Sequence, residues 1–565
     1  MILFNPKKHE RYYPDEESRE IMQKTIAFFE NKGLHSLKKD DQERIWYREF
    51  LDFMAKEEIL YKLLTPSKYS DGKTRWDMWR IQQFNEIIGF YGLPYWYTWQ
   101  VTILGLGPIW MSENEEAKAK AASLLKTGSI FAFGLSERDH GADVYSTSMT
   151  LSPQADGTYL ANGSKYYIGN ANEADMVSTF GKIKGTDEYV FFIANYKHNS
   201  YNLVKNTVNS QNYVGEYILE DYPITDADIL ARGPQAWDNA LNTVNVGKYN
   251  LGWASIGMAT HAFYEALNHA SKRNLYGMFV TDFPHVKRMF IDSYARLVAM
   301  KLYAGRTADY MRSASLDDRR YLLFDPIMKM KVTTQGEEVI NLLWDIIAAK
   351  GFEKDTFFEM AARDIRALPK LEGTVHVNIA LIIKFLQNYL FNPAEYPEIP
   401  QRSDAADDEF LFRQGPTRGL AKIQFHDYNN AFSLYNLPNL KIFKEQIVTF
   451  KEMLIKASAS KEQMKDIDVM LTIGEMFTLV PYAQLLLENA KIYKLDEIIL
   501  DQIFDFIVRD FSKFALELHN KPSSTEKQME YCRKLMRKPN VDNERYNAVW
   551  TKYVYALNGE YEMNY

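Results

Sequence analysis

Between Ile87 and Met111 the chain carries no charged residue. A stretch of that length must be hidden from water, either in a bilayer or in a large protein core. It is interrupted by Gly89, Gly92, Pro94, Gly105, Gly107 and Pro108, and it carries Gln100 and Thr102 in its middle. So many breakers predict a pair of buried helices rather than one span. Phe, Trp and Tyr make up 14% of the residues, which also points to broad apolar interiors and clefts.

With 565 residues the chain exceeds what a single core sustains, and its texture divides it. Residues 1–128 read as a helical domain, with periodic stretches such as EESREIMQKTIAFFENK and ENEEAKAKAASLLKTG, the second stopping at Gly128. Over 129–236 short alternating runs take over, with turn signals at Asp156-Gly157 and Asn162-Gly163, which predicts a small β-domain. Long apolar-periodic segments over 237–390 predict a helical bundle. A Pro- and acid-rich linker, 391–405, leads to a mostly helical extension, 406–565, expected to pack on that bundle. The class predicted is α+β, mostly α.

Acidic residues number 74 against 67 basic ones, for a net charge of -7 without a basic tail, so no nucleic-acid partner is expected. The amphipathic segments of the extension lack a basic polar face, and membrane association is not expected either. Cys532 is the only cysteine, which excludes internal disulfides, CxxC redox chemistry and thiolate metal clusters; no metal is expected. A reducing compartment suits it, and the opening MILFNPKKHERYYPDEESRE lacks the apolar core of a signal peptide, so the cytoplasm is the expected location.

One acid stands out. In LPKLEGTVHVN, Glu372 sits among apolar neighbours before a Gly-Thr pair. Desolvation raises a carboxyl pKa, which is what a general base working near neutrality requires. Alone, the residue reads better as an exposed loop acid or a cap for the helix that follows.

Three further stretches decide between these. SIFAFGLSERDHGADV contains Ser136, Glu137, Gly141 and Asp143, with Ala142 where a serine is usual; NGSKYYIGNANEAD follows; and ASKRNLYG, with Arg273 and Gly277, pairs with ARDIRALPKLEGT. Their order and spacing resemble the acyl-CoA dehydrogenase superfamily, in its larger type with a C-terminal helical extension. The resemblance covers roughly residues 80 to 385. It implies a helical domain, a middle β-domain and a long-helix bundle.

The same resemblance implies FAD as cofactor and an acyl-CoA as substrate. Glu372 would take the α-proton of the thioester, and flavin would accept the β-hydride, because no side chain can. Phe133, Leu135, Ser136 and Ala142 would line the flavin, with Tyr167 and Gly169 standing where relatives carry tryptophan and threonine. Arg273 would meet the pyrophosphate, and Thr374 and His376 the adenine-dinucleotide part. Asn245 and Lys248, with Ala142 and Gly373, would touch the acyl-CoA. The amide of Glu372, beside a flavin ribityl hydroxyl, would polarise the thioester oxygen. An electron-transfer flavoprotein is the implied acceptor, and a homodimer or homotetramer the implied assembly.

The sequence also departs from the pattern. DIIAAKG places Asp345 where Gln is usual and Ala348-Ala349 where two glycines let FAD approach, while Pro284 replaces a frequent Gln. These changes predict weakened or displaced FAD, and motivate a reading as a flavin-poor, non-catalytic paralogue that partners an active subunit. The nearer rival is an acyl-CoA oxidase, whose glutamate is generally followed by Gly-Asp instead of Gly-Thr. Some relatives carry the base just before the position of Lys248; here that residue is Gly247.

Overall fold

The computed structural model describes residues 2–9, 11–70 and 72–565. Its N-terminal part contains helices α1 (Glu16–Glu43), α2 (Arg48–Lys56), α3 (Ile59–Leu64), α4 (Met78–Tyr91), α5 (Leu93–Met111) and α6 (Glu115–Lys126). Side-chain oxygens of Asp15, Asp77 and Asn114 accept N–H groups that the first turns of α1, α4 and α6 would leave unpaired. Helix α6 ends as the sequence predicts: Gly128 takes a φ of +84°, and the Gly128 and Ser129 amides donate back to Leu125 and Leu124. The uncharged run forms the pair α4 and α5, and every residue from Trp76 to Trp110 is buried.

The middle part is a sheet of β1 (Phe131–Gly134), β2 (Thr150–Pro153), β3 (Tyr159–Gly169), β4 (Met176–Ile183), β5 (Tyr189–Ala194), β6 (Tyr201–Asn206), β7 (Val214–Ile224) and β8 (Ile229–Arg232). Its order is β6-β7-β3-β2-β4-β5-β8, with β1 parallel to β4. Asp156-Gly157 makes the β2–β3 turn, with Gly157 at φ +88°. Asn162-Gly163 is no turn. It lies inside β3, where the register against β7 shifts, and a Cβ on Gly163 would stand 2.9 Å from Met149 Cα. The glycine serves close approach of two strands, a need that looks like a turn signal in sequence.

Helix α7 (Gly233–Lys272) starts upstream of the expected Trp237, because Gly233-Pro234 fits a first helical turn. A hairpin of β9 (Asn274–Leu275) and β10 (Met278–Phe279) follows, then α8 (Pro284–Arg312) and α9 (Tyr321–Ile327). Helix α9 runs through a π-helical turn, Met328–Val332, into α10 (Thr333–Ile347), and α11 (Phe357–Asp364), α12 (Val375–Ile382) and α13 (Leu386–Phe391) complete this part.

The linker is fixed rather than free. Arg306 donates to Ile399 O at 2.7 Å, and the Arg402 amide to Asp309 at 2.8 Å; just beyond, Asp407 accepts from the Ser67 and Trp76 amides. The extension holds α14 (Asn429–Phe432), α15 (Pro438–Lys456), α16 (Lys461–Lys465), α17 (Ile467–Tyr493), α18 (Glu497–His519), α19 (Glu526–Leu535) and α20 (Asn543–Val549). Helix α17 is long and apolar enough to cross a membrane, and it lies buried against α8, α12 and α18.

Candidate active site

Glu372 follows α11 in a turn where two successive residues are left-handed, Glu372 at φ +51° and Gly373 at +87°. A left-handed glutamate is strained and needs holding. Lys329, buried on the π-helical turn, donates to Pro369 O at 2.6 Å and also to Gly373 O. Asn378 donates to Gly373 O and Thr374 O at 3.1 and 2.9 Å, and Thr374 caps α12. So fixed, the Glu372 carboxylate turns toward α5 and α7. Its Oε1 accepts from Gln100 Nε2 at 2.5 Å, and its Oε2 is buried without a partner. Gly247 leaves room for it: a Cβ there would stand 2.6 Å from Oε2 and 2.6 Å from Leu104.

Burial pushes the Glu372 carboxyl up to about 7, against the pull of the Gln100 hydrogen bond and of Lys329 and Lys248. Both lysines are themselves pushed down by desolvation, Lys248 to about 8 and Lys329 to about 7. Asp325 on α9 is fully buried beyond Lys248, with neither carboxylate oxygen hydrogen-bonded, and its pKa is raised strongly by desolvation.

Helix α5 joins this turn to the β-domain. Tyr97 interacts electrostatically with Glu372, and its ring also fills the space beside Gly169, where a Cβ would meet Tyr97 Cε1 at 2.7 Å and Val101 at 2.6 Å. A threonine at 169 would not fit. Tyr167 is left-handed at φ +63° with its side chain exposed. Ser136 and Tyr166 bind each other's carbonyls, Oγ to Tyr166 O at 2.7 Å and Tyr166 N–H to Ser136 O at 3.0 Å. Beneath them buried Lys165 pairs with Glu137 at 2.8 Å and donates to Leu135 O at 3.0 Å, tying the second motif to the first. Phe133 stacks on Phe191, Leu135 is half-buried, and Ala142 is exposed in the loop after Glu137.

The remaining candidates lie at the other end of α7 and on the loop's outer side. His269 senses both Arg273 and Lys350, which gathers positive charge beside Ala348–Gly351. Ala348 adopts φ +55°, ψ -134°, a glycine conformation kept despite the methyl group. Asp345, Thr374 and His376 are exposed, and Asn245 is half-buried on α7 ahead of Lys248. The structure thus brings Glu372 and Gly169 against α5, with Lys248 on α7 acting on the Glu372 carboxylate and Tyr167 exposed two residues before Gly169.

Sequence reading missed Gln100, Tyr97, Lys329 and Asp325 as site residues. For Gln100 a signal was present: an amide inside a wholly apolar buried run needs a partner. Nothing comparable marked Tyr97.

Residues 235–387 match the family model described as acyl-CoA dehydrogenase, C-terminal domain. Among curated proteins, a subunit of the caffeyl-CoA reductase-Etf complex of Acetobacterium woodii is 28% identical over 285 residues, 49% of this chain and 73% of that protein. A 3-(aryl)acrylate reductase of Clostridium sporogenes is 24% identical over 288 residues, 50% of this chain and 75% of its own. The fold matches an acyl-CoA dehydrogenase complexed with FAD from Bacillus anthracis, with a TM-score of 0.72 at 18% identity, over 98% of this chain and 97% of that one. The helical extension is therefore part of a shared architecture, and the chain belongs to the acyl-CoA dehydrogenase superfamily.

Proposed function

We propose that this chain is an FAD-dependent acyl-CoA dehydrogenase in which the Glu372 carboxylate removes the α-proton of an acyl-CoA thioester. One observation carries the reading: a glutamate held in a left-handed turn, one oxygen unpartnered and buried, its pKa pushed up to about 7. Near neutrality such a group is anionic often enough to act and basic enough to hold a proton. The Glu372 amide makes no hydrogen bond among the described residues, which leaves it for a thioester oxygen as negative charge develops there. Lys248 and Lys329, the nearby cations, favour the anion that starts the reaction.

Bound FAD supplies the hydride acceptor. Ser136, Tyr167 and the loop through Ala142 would hold its ring, with the Lys165–Glu137 pair keeping their backbone in place. Arg273 and Lys350 suit a pyrophosphate by charge. Ala348 favours retention over loss of the cofactor, since the segment keeps the backbone course a glycine would take. A homo-oligomer belongs to the reading: the β9–β10 hairpin beside Arg273 exposes Tyr276, Met278 and Phe279 to solvent.

A carboxyl titrating near neutrality can also deliver its proton to the α-carbon of an unsaturated thioester. The likeness to a caffeyl-CoA reductase-Etf subunit and to an arylacrylate reductase supports this reverse direction as a second reading, with an electron-transfer flavoprotein as partner in both. The test is anaerobic titration of the purified yellow protein with saturated, 2-enoyl and aryl-acryloyl thioesters. Bleaching by a saturated thioester supports dehydrogenation, and recolouring of the reduced protein only by an unsaturated one supports reduction. A protein that takes up no FAD refutes both.

A further inference from the structure

We infer that a buried line of three amides, Asn85, Asn250 and Gln100, positions Glu372, with two indoles fixing its polarity so that only a donor reaches the carboxylate. The line crosses three helices. Trp96 and Trp99 on α5 point their indole N–H groups at Asn85 Oδ1 on α4, at 2.8 and 3.2 Å. Asn85 Nδ2 donates to Asn250 Oδ1 on α7 at 2.9 Å, Asn250 Nδ2 donates to Gln100 Oε1 on α5 at 2.9 Å, and Gln100 Nε2 donates to Glu372 Oε1 at 2.5 Å. All five of these side chains are buried, so no water competes for the bonds.

The direction of the line is a matter of chemistry. An indole nitrogen can only donate, so Asn85 must present its oxygen to the tryptophans and its NH2 onward. Each amide then repeats that orientation, and Gln100 arrives at Glu372 with NH2 foremost. Its second N–H meets Gly247 O at 3.1 Å, which leaves no easy rotation. A donor stabilises the carboxylate over the carboxylic acid. The other groups that act electrostatically on Glu372 are Lys248 on α7, Lys329 on the π-helical turn and Tyr97 on α5, and none of them belongs to the line.

Only the catalytic meaning of this inference rests on Glu372 being the base. The test therefore reads the carboxyl itself, by infrared difference titration of the full-length protein, with the band assigned by its loss in Glu372→Gln. Gln100→Leu should raise the midpoint by about one pH unit, as loss of a hydrogen bond to a charged group implies. Asn250→Leu should raise it by a similar amount, and the double variant no further than Gln100→Leu alone, because the two act through one contact. Trp99→Phe keeps the ring packing, removes one polarising donor and should give a smaller shift of the same sign, which serves if Asn250→Leu fails to fold. A shift in Gln100→Leu with Asn250→Leu and Trp99→Phe at the wild-type midpoint overturns the inference, as do strictly additive shifts. If Glu372→Gln still bleaches flavin with substrate, the base assignment fails, while the infrared midpoints still decide the amide line.

Discussion

Replacing Glu372 with glutamine should make the protein more stable while disabling it. Burial raises this carboxyl from 4.5 to about 7, so the anion is disfavoured inside the fold relative to the unfolded chain. At 1.36 kcal/mol per pH unit the gap amounts to about 3 kcal/mol. Glu372 is half-buried, and the new amide would place an NH2 where Oε2 has no partner, so we expect about 2 kcal/mol net. The sign follows from proton counting. Between pH 4.5 and 7 the folded state binds more protons at this site than the unfolded state, so its contribution to stability falls as pH rises and levels off above pH 7. Glutamine does not titrate. The difference in urea midpoint between Glu372→Gln and wild type should move in favour of the variant from pH 4.5 to pH 8, where it is largest. An equal difference at both pH values would refute the argument, because it would mean the carboxyl is no costlier to ionise inside the fold than outside.

The same geometry yields other outcomes. Lys165→Met removes the cation paired with Glu137 and the bond to Leu135 O, while Thr147, Ser148 and Met149 still donate to that carboxylate; it should destabilise by about 1–3 kcal/mol, seen as earlier unfolding and lost flavin colour. Ala348→Gly relieves a backbone conformation natural to glycine; it should raise stability by about 1 kcal/mol and tighten FAD binding, which fluorescence titration would measure. Gly169→Thr drives a side chain into Tyr97 and Val101 and should cost about 1–3 kcal/mol by thermal melting, whereas Gly169→Ala, which adds less volume, should cost less.

Much of this was legible from residues alone, for identifiable reasons. The uncharged run declared its burial because apolar residues have no other place to be, and helix α6 stopped where Gly128 said it should. Asn162-Gly163 misled because a glycine needed for close strand packing looks like one needed for a hairpin. The turn before α12 was visible through Glu372 and Gly373, but its clamp was not: Lys329 comes from a π-helical turn that periodicity does not announce. Tyr97 was hidden for a different reason. It compensates for Gly169 across two domains, and only a third dimension shows that a missing side chain on one strand is filled from a helix remote in sequence.

A carboxylate grown from the position of Gly247 on α7 and the carboxylate of Glu372 would compete for one small volume, since even a methyl group at 247 meets Oε2 at 2.6 Å. A side chain at 247 could be accommodated only if the ends of Glu372 and Leu104 moved aside, so the bare glycine is what lets the carboxylate rest where Gln100 holds it.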